Sequence, residues 1–238
     1  MTNPPHALAD VREMGIVHSA LRRDLERTRT VLESPEPISA DRRQAIAAHL
    51  LWMMDHLHHH HTGEDLHLWP AVRGRNPGAA NLLDLMEEDH QRLGPHMEAI
   101  IASAQRWQAF ADERSALATA LAALVTDLLP HLRREEEHMM PVVAETLSPK
   151  EFNDLSYRTF IKPKSQAELG REINWILDGL DETGRRHMLG KIPAPIAFFM
   201  LRAFGPGYRR KVERMWAGTP AAAIPSLSLT YLDRSSAA

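Results

Sequence analysis

Polar and apolar positions along residues 10–146 repeat in alternating steps of four and three. The first such run is Met14, His18, Leu21, Leu25, Thr28 and Leu32. That spacing keeps residues on one face of a helix. Ser34-Pro35-Glu36-Pro37 ends the helix, because two prolines cannot continue it. Ser39 is placed to cap the next one. The second run is Ile46, Leu50, Met53, Leu57, His60, Glu64 and His67, so an apolar stripe turns into a polar one without changing register. Gly74, Asn76, Pro77 and Gly78 form a loop. The third run is Leu83, Met86, His90, Leu93, Met97, Ile100, Ala104 and Trp107, with Gly94-Pro95 inside it. The fourth is Leu117, Leu121, Leu124, Leu128, His131, Glu135 and His138, interrupted by Pro130. Each internal proline removes one backbone hydrogen bond, so a kink is expected just after His90 and another beside His131.

These runs are duplicated. Met14/His18/Leu21/Leu25, shifted by 72 residues, falls on Met86/His90/Leu93/Met97. Met53/Leu57/His60/Glu64/His67/Pro70, shifted by 71, falls on Leu124/Leu128/His131/Glu135/His138/Pro141. Two helical hairpins at a nearly constant offset imply an all-α fold: an up-down-up-down four-helix bundle over residues 10–146 with an internal two-fold repeat.

Residues 147–217 have no counterpart in the repeat and read as a helical C-terminal extension. Ser148-Pro149 opens one helix. Residues 165–180 form an amphipathic second helix. Ile196 to Phe204 is short and very apolar, Gly205-Pro206-Gly207 is a turn, and Tyr208 to Trp216 is a last basic helix. Trp175, Phe198, Phe199 and Met200 suit a cover for the bundle, with a homodimer interface or a lipid-facing patch as alternatives. Residues 1–9 read as a loose tail and 218–238 as extended or disordered.

Composition narrows the chemistry. The 238 residues carry a net charge of −3 with both signs interspersed, which leaves no electrostatic footprint for nucleic acid. With no cysteine, any metal site must use histidine and carboxylate. No signal peptide is visible at Met1-Thr2-Asn3-Pro4-Pro5. No apolar run reaches the roughly 18 residues of a membrane span, so a cytoplasmic protein without a stable span is expected.

Histidine is the outlier: there are 14, six of them between His56 and His67. The inward positions His18, His60, Glu64, His90, His131 and Glu135 place four imidazoles and two carboxylates in the core. Left unpartnered, such groups would cost on the order of several kcal/mol. A cation is the economical partner. Six donors from four helices suit two ions better than one, with each Glu able to bridge metals about 3.5–4 Å apart. Imidazoles with bridging carboxylates favour iron, ahead of manganese or zinc, with an oxo, hydroxo or water bridge completing the pair.

The pattern His18 … His60-x-x-x-Glu64 … His90 … His131-x-x-x-Glu135, with Gly63-Glu64-Asp65-Leu66-His67-Leu68-Trp69-Pro70, resembles the hemerythrin-like (HHE cation-binding) family over roughly residues 10–145. The resemblance implies two irons, one held by His18 and His60 and the other by His90 and His131, with Glu64 and Glu135 bridging. It also implies a small-molecule ligand: dioxygen, peroxide or nitric oxide. One position departs from the pattern. Oxygen-carrying members have a second histidine one turn after that on the third helix, and here it is Gly94. The second iron is then short of an imidazole and open, which suits reaction with small oxidants better than reversible oxygen transport. His67 and His138 are candidates for an additional ligand, a hydrogen-bonding partner of a ligand, or a proton shuttle, and His56 borders the site. His58, His59 and His61 are expected on other faces, Asp65, Glu136 and Glu137 on a solvated rim, and His6, His49 and His187 at the surface. Two readings of function follow: a di-iron oxidoreductase or scavenger, and a non-catalytic iron or oxygen sensor in which the metal alters the packing of the extension. A third, weaker reading is an oxygenase with a closed apolar pocket between Ile192–Phe204 and the metals.

Overall fold

The structure, a computed structural model, describes residues 7–228. Four long helices make the bundle: α1 (Arg12–Glu33), α2 (Ala40–Gly63) continuing into α3 (Trp69–Arg75), α4 (Ala80–Ala109), and α5 (Arg114–Arg134) continuing into α6 (Met140–Thr146). Ser39 caps α2 by accepting the Arg42 N–H. The four-three stripes face inward as their spacing requires. Ile46, Leu50, Met53, Leu83, Ile100, Leu117, Leu124 and Leu128 are completely buried, each worth about 1.5–3 kcal/mol. The rod over residues 111–146 is long and apolar enough by composition to cross a membrane, but its leucine stripe is used in this core.

The duplication extends to a detail of the backbone. A π-helical turn, Glu64–Leu68, joins α2 to α3, and another, Glu135–Met139, joins α5 to α6. Each begins on a candidate metal ligand. Each is closed by a bond spanning five residues, Trp69 N–H to the Glu64 carbonyl and Met140 N–H to that of Glu135. Pro70 and Pro141 follow by one residue. A proline has no N–H and crowds the carbonyl four residues back, and widening the turn relieves that conflict. π turns of this kind gather at functional sites. Pro95 and Pro130 lie within continuous helices, and the helical register breaks at the π turns.

In the bundle α2 packs along α4, α4 along α5, and α5 along α1. The side between α1 and α2 is filled by the extension. There α7 (Pro149–Ser156) leads through a π turn (Tyr157–Ile161) to α8 (Gln166–Leu177), α9 (Glu182–Gly190) and α10 (Ala194–Trp216). Ser148 and Ser165 each close a capping box with the Glu three residues on. Trp175 and Trp216 enter the main core. A buried ionic network locks the extension to α1. Asp24 accepts from Arg23 Nε at 2.7 Å and from Trp175 Nε1 at 2.9 Å, with His49 Nε2 at 2.7 Å. Arg27 donates to Asp178 at 2.6 Å and to the Ile224 carbonyl at 2.8 Å. Two guanidinium groups thus meet two carboxylates, which is what makes so many buried charges tolerable.

Four expectations change here. His49 is not at the surface but buried in that network. Gly205-Pro206-Gly207 is not a turn, because α10 runs through it. A Cβ on Gly170 would lie 2.1 Å from the Phe204 ring, so α8 and α10 pack too closely there for the chain to bend away. The segment after residue 217 is packed as far as it is described: Leu227 N–H bonds the Ser19 carbonyl at 3.2 Å, and Ala221 is buried. At the other end Ala9 is also buried, while His6 and residues 229–238 lie outside the described residues.

Candidate metal centre

Midway along the bundle the stripes bring two groups of ligand atoms together. His18, His60 and Glu135 form one, and His61, His90 and His131 the other. Within each, the ligand atoms lie within 4.8 Å of one another, and all six residues are buried. Glu64 stands between the groups. Its Oε1 is 3.1 Å from His60 Nε2 and its Oε2 is 3.6 Å from His90 Nε2. Glu135 Oε2 is 3.4 Å from His18 Nε2 and 3.9 Å from His131 Nε2. Each carboxylate therefore faces both halves, the disposition a bridging ligand needs.

The rings are held from behind. The His18 Nδ1 edge meets Glu136 Oε1 at 2.9 Å, and Arg22 secures that carboxylate at 2.7 Å. The His90 Nδ1 edge meets Asp65 Oδ1 at 2.8 Å. His131 Nδ1 is 3.5 Å from Asp89 Oδ2, and Asp89 is also paired with Arg92 and Arg134. At His18 and His90 the carboxylate on Nδ1 fixes the tautomer and leaves the Nε2 lone pair for a cation, whereas His131 Nδ1 is near Asp89 without a hydrogen bond. Asp65 and Glu136 are thus ring-orienting partners rather than a solvated rim. They follow Glu64 and Glu135 by one residue in each repeat, and each reaches a histidine of the other hairpin. Their position one residue after the buried Glu64 and Glu135, duplicated at the same offset, is the sequence signal for that role.

His61 departs from its expected place on another face. It is buried, and its ring stacks on that of His90 with centroids 4.0 Å apart and planes 10° apart. Adjacent helix positions differ in direction by about 100°. At this point α2 faces α1 on one side and α4 on the other, so His60 serves one group and His61 the other. Gly94 leaves no imidazole one turn after His90, and His61 joins that group instead. His67 and His138 are exposed and belong to neither group. The π turns begin at Glu64 and Glu135, and the wider turn carries the third residue onward away from the inward face. His56 borders the site, stacked on His60. The extension residue over His60 is Phe160, with centroids 5.8 Å apart. It is Thr159 and Phe160, not Ile192–Phe204, that meet this part of α2; Phe198 and Phe199 are exposed.

Whether these residues suit a cation is answered by their unmet valences. Nε2 of His61, His90 and His131 and all four oxygens of Glu64 and Glu135 are buried without a hydrogen-bond partner. A buried unsatisfied polar group costs about 1–3 kcal/mol, so such a concentration makes sense only around a further positive centre. Electrostatics agrees. Burial, with His60 alongside, pushes His18 well below the usual imidazole range. Burial, with His90 alongside, does the same to His61. Both shifts favour the neutral imidazole, the form a ligand needs. Burial raises Glu64 to about 7, and burial together with Glu64 raises Glu135 well above the carboxylate range. Two carboxylates that cannot both ionise in an empty core could do so around cations.

A helical bundle with a duplicated histidine–carboxylate centre defines a cation-binding protein. The family-model comparison makes this specific: the hemerythrin HHE cation binding domain matches residues 10–145, more than half of the chain. The chain belongs to that family. No curated protein and no solved structure gives a significant match. The extension lies beyond the matched residues.

Proposed function

We propose that the chain is a non-haem di-iron protein that binds and reacts with small oxidants: dioxygen, peroxide or nitric oxide. The observation that carries this reading is Glu64, fully buried, with one oxygen toward His60 and the other toward His90. In this reading His18 and His60 hold one ion, His61, His90 and His131 hold the other, and Glu64 and Glu135 bridge. Imidazoles with bridging carboxylates suit iron better than zinc or manganese. The bound pair would supply Lewis acidity and electrons.

The chain's own residues do the rest. Glu136 and Asp65 orient the rings, the leucine stripes exclude water, and Phe160 walls the His60 side. His61 changes where the reaction belongs. With His61 in place, the ion at His61, His90 and His131 would have three imidazoles and the ion at His18 and His60 two, so the small molecule would be expected at the latter.

A second reading, a sensor without turnover, is favoured by the intimacy of the extension with the site. A Cβ on Gly63 would lie 2.4 Å from Phe160 Cε1, so a metal-dependent shift of α2 would be felt by the extension. The surroundings are taken as cytoplasmic, and Ile196, Phe198 and Phe199 as the patch for a homodimer contact.

The test is metal analysis and optical spectroscopy of anaerobically purified protein, then exposure to oxygen, peroxide and nitric oxide. Two irons per chain whose spectrum responds to one of these supports the assignment. A fully folded metal-free protein, or a single tightly held zinc, overturns it. Repeated turnover separates enzyme from sensor.

A further inference from the structure

On the side of His60 away from Glu64's second group, the rings continue. His56, one turn earlier on α2, stacks on His60 with centroids 6.3 Å apart and planes at 20°. Trp52, one turn earlier again, stacks on His56 at 5.5 Å. Trp175, contributed by α8, meets both edge-on, 5.1 Å from His56 and 5.1 Å from Trp52. The series runs from a candidate ligand to Trp52, which is half-buried and has the Arg171 guanidinium 4.1 Å from its ring centre. Apolar packing explains indoles at such a junction. It does not explain an imidazole among them, and His56 Nε2 is buried with no hydrogen-bond partner.

The two indole rings differ in the charged group that touches them: the Arg171 guanidinium lies over Trp52, and the Asp24 carboxylate accepts from Trp175, within a network that also brings Arg23 to the Trp175 carbonyl at 3.0 Å. The cation over Trp52 opposes loss of an electron from that ring. Trp175 donates its Nε1–H to the Asp24 carboxylate at 2.9 Å. Burial opposes the charge on Asp24, but Arg23 and His49 outweigh it and hold the group ionised. A carboxylate in direct contact stabilises positive charge on an indole, and burial strengthens the effect. A missing electron is therefore better accommodated on Trp175 than on Trp52.

We propose that the stack His60–His56–Trp52/Trp175 conducts single electrons between the metal pair and the surface, with Trp175 the residue that is transiently oxidised. This rests on the di-iron reading. The balance is explicit. When only one ferrous ion is available, hydrogen peroxide and two protons take one electron from that ion and one from the Trp175 indole. The products are two waters, a ferric ion and an indole cation radical. A one-electron reductant of the ascorbate or phenol class, meeting the protein at Trp52, returns the electron to Trp175. The stack thus completes a two-electron reduction that the metals alone cannot finish in that state, and it gives the extension a chemical role.

The experiment uses the full-length, iron-loaded, half-reduced protein, mixed with peroxide and frozen for electron paramagnetic resonance. An indole radical is expected in the parent chain, identified by its altered splitting when the tryptophans are ring-deuterated. Trp175→Phe should lose it with iron content unchanged. Trp52→Phe should keep it but slow its decay on adding ascorbate. Mass spectrometry of the peroxide-treated parent chain needs no substitution, and should find oxygen added at Trp175 and Trp52 ahead of Trp69 and Trp107. A radical that persists in Trp175→Phe, a tyrosyl radical, or iron oxidised with no protein radical and no oxygen added at Trp175 overturns the proposal. Iron that peroxide leaves ferrous overturns the parent reading as well, and its unchanged ferrous spectrum tells the two failures apart.

Discussion

Substituting His61 by Ala is the sharpest test of the proposed division of the ligands between two ions. The ring is buried, 4.0 Å from His90 and 5.2 Å from His131 between centroids. Its removal leaves His90, His131 and carboxylate oxygens for the second ion. Removing a residue that merely orients a ligand costs roughly 10–100-fold in metal affinity. Removing a ligand outright should cost more than about 100-fold, equivalent to about 2.8 kcal/mol at 1.4 kcal/mol per tenfold. At stoichiometric iron, His61→Ala should therefore retain one of the two ions, and competition with a chromophoric chelator should show a single strong site. The metal-free variant should lose the ring stacking, about 0.5–1.5 kcal/mol, together with the packing of a buried ring; a cooperative thermal melt of the metal-free variant separates loss of a ligand from misfolding. The rescue makes the test specific. Gly94 follows His90 by four residues on α4, hence on the same face, and a Cβ there meets nothing within 4 Å. Gly94→His should restore the second ion to His61→Ala. Two full-affinity irons in His61→Ala would refute the assignment.

Other consequences can be checked with the same material. Glu136→Gln weakens the hold on His18 Nδ1 and leaves Arg22 without its carboxylate, so iron affinity should drop by about 10–100-fold, read by chelator competition. Glu64 has its metal-free value raised to about 7, mainly by burial. Below that pH the empty site carries a proton that the metal must displace, so affinity should fall as pH drops from 7.5 to 5.5, by up to about tenfold per unit for each proton released. Calorimetry in buffers of different ionisation enthalpy counts the protons released. Gly63→Ala places a methyl 2.4 Å from Phe160 Cε1 and 2.7 Å from Thr159 Cγ2; overpacking of this kind costs about 1–3 kcal/mol. Thermal melts should show the loss, and Phe160→Ala in the same chain should recover part of it. Additive effects would mean the two do not touch.

What is legible in the chain and what is not divide along a physical line. Periodicity places residues on helix faces, and the alternating steps bring His18, His60, His90 and His131 to the inner faces together with Glu64 and Glu135. The same logic fails where the helix stops being an α-helix or where one helix faces two neighbours at once. His67 and His138 continue the stripe by spacing, but the π turns at Glu64 and Glu135 widen the helix by a residue and carry them to solvent. His61 is off the stripe by one position, yet α2 serves both groups, so neighbouring residues can both be ligands. His49 reads as a surface residue because Asp24, its partner, is brought to it by tertiary packing alone. The extension is legible as helices through its capping serines, but its destination is not. The repeat predicts four seams around one core and does not reveal that the α1–α2 side is closed by Trp175 and Trp216. Pro70 and Pro141 carry more information than their role as repeat markers. As matched prolines after matched ligands, they coincide with the places where the register changes. A proline at either position removes one backbone bond and crowds the carbonyl four residues back; Pro95 and Pro130 are accommodated within continuous α-helix, whereas at Pro70 and Pro141 a π turn precedes the ring. The stripe ends at Glu64 and Glu135, and His67 and His138 leave the inner face in the same way in both halves of the repeat.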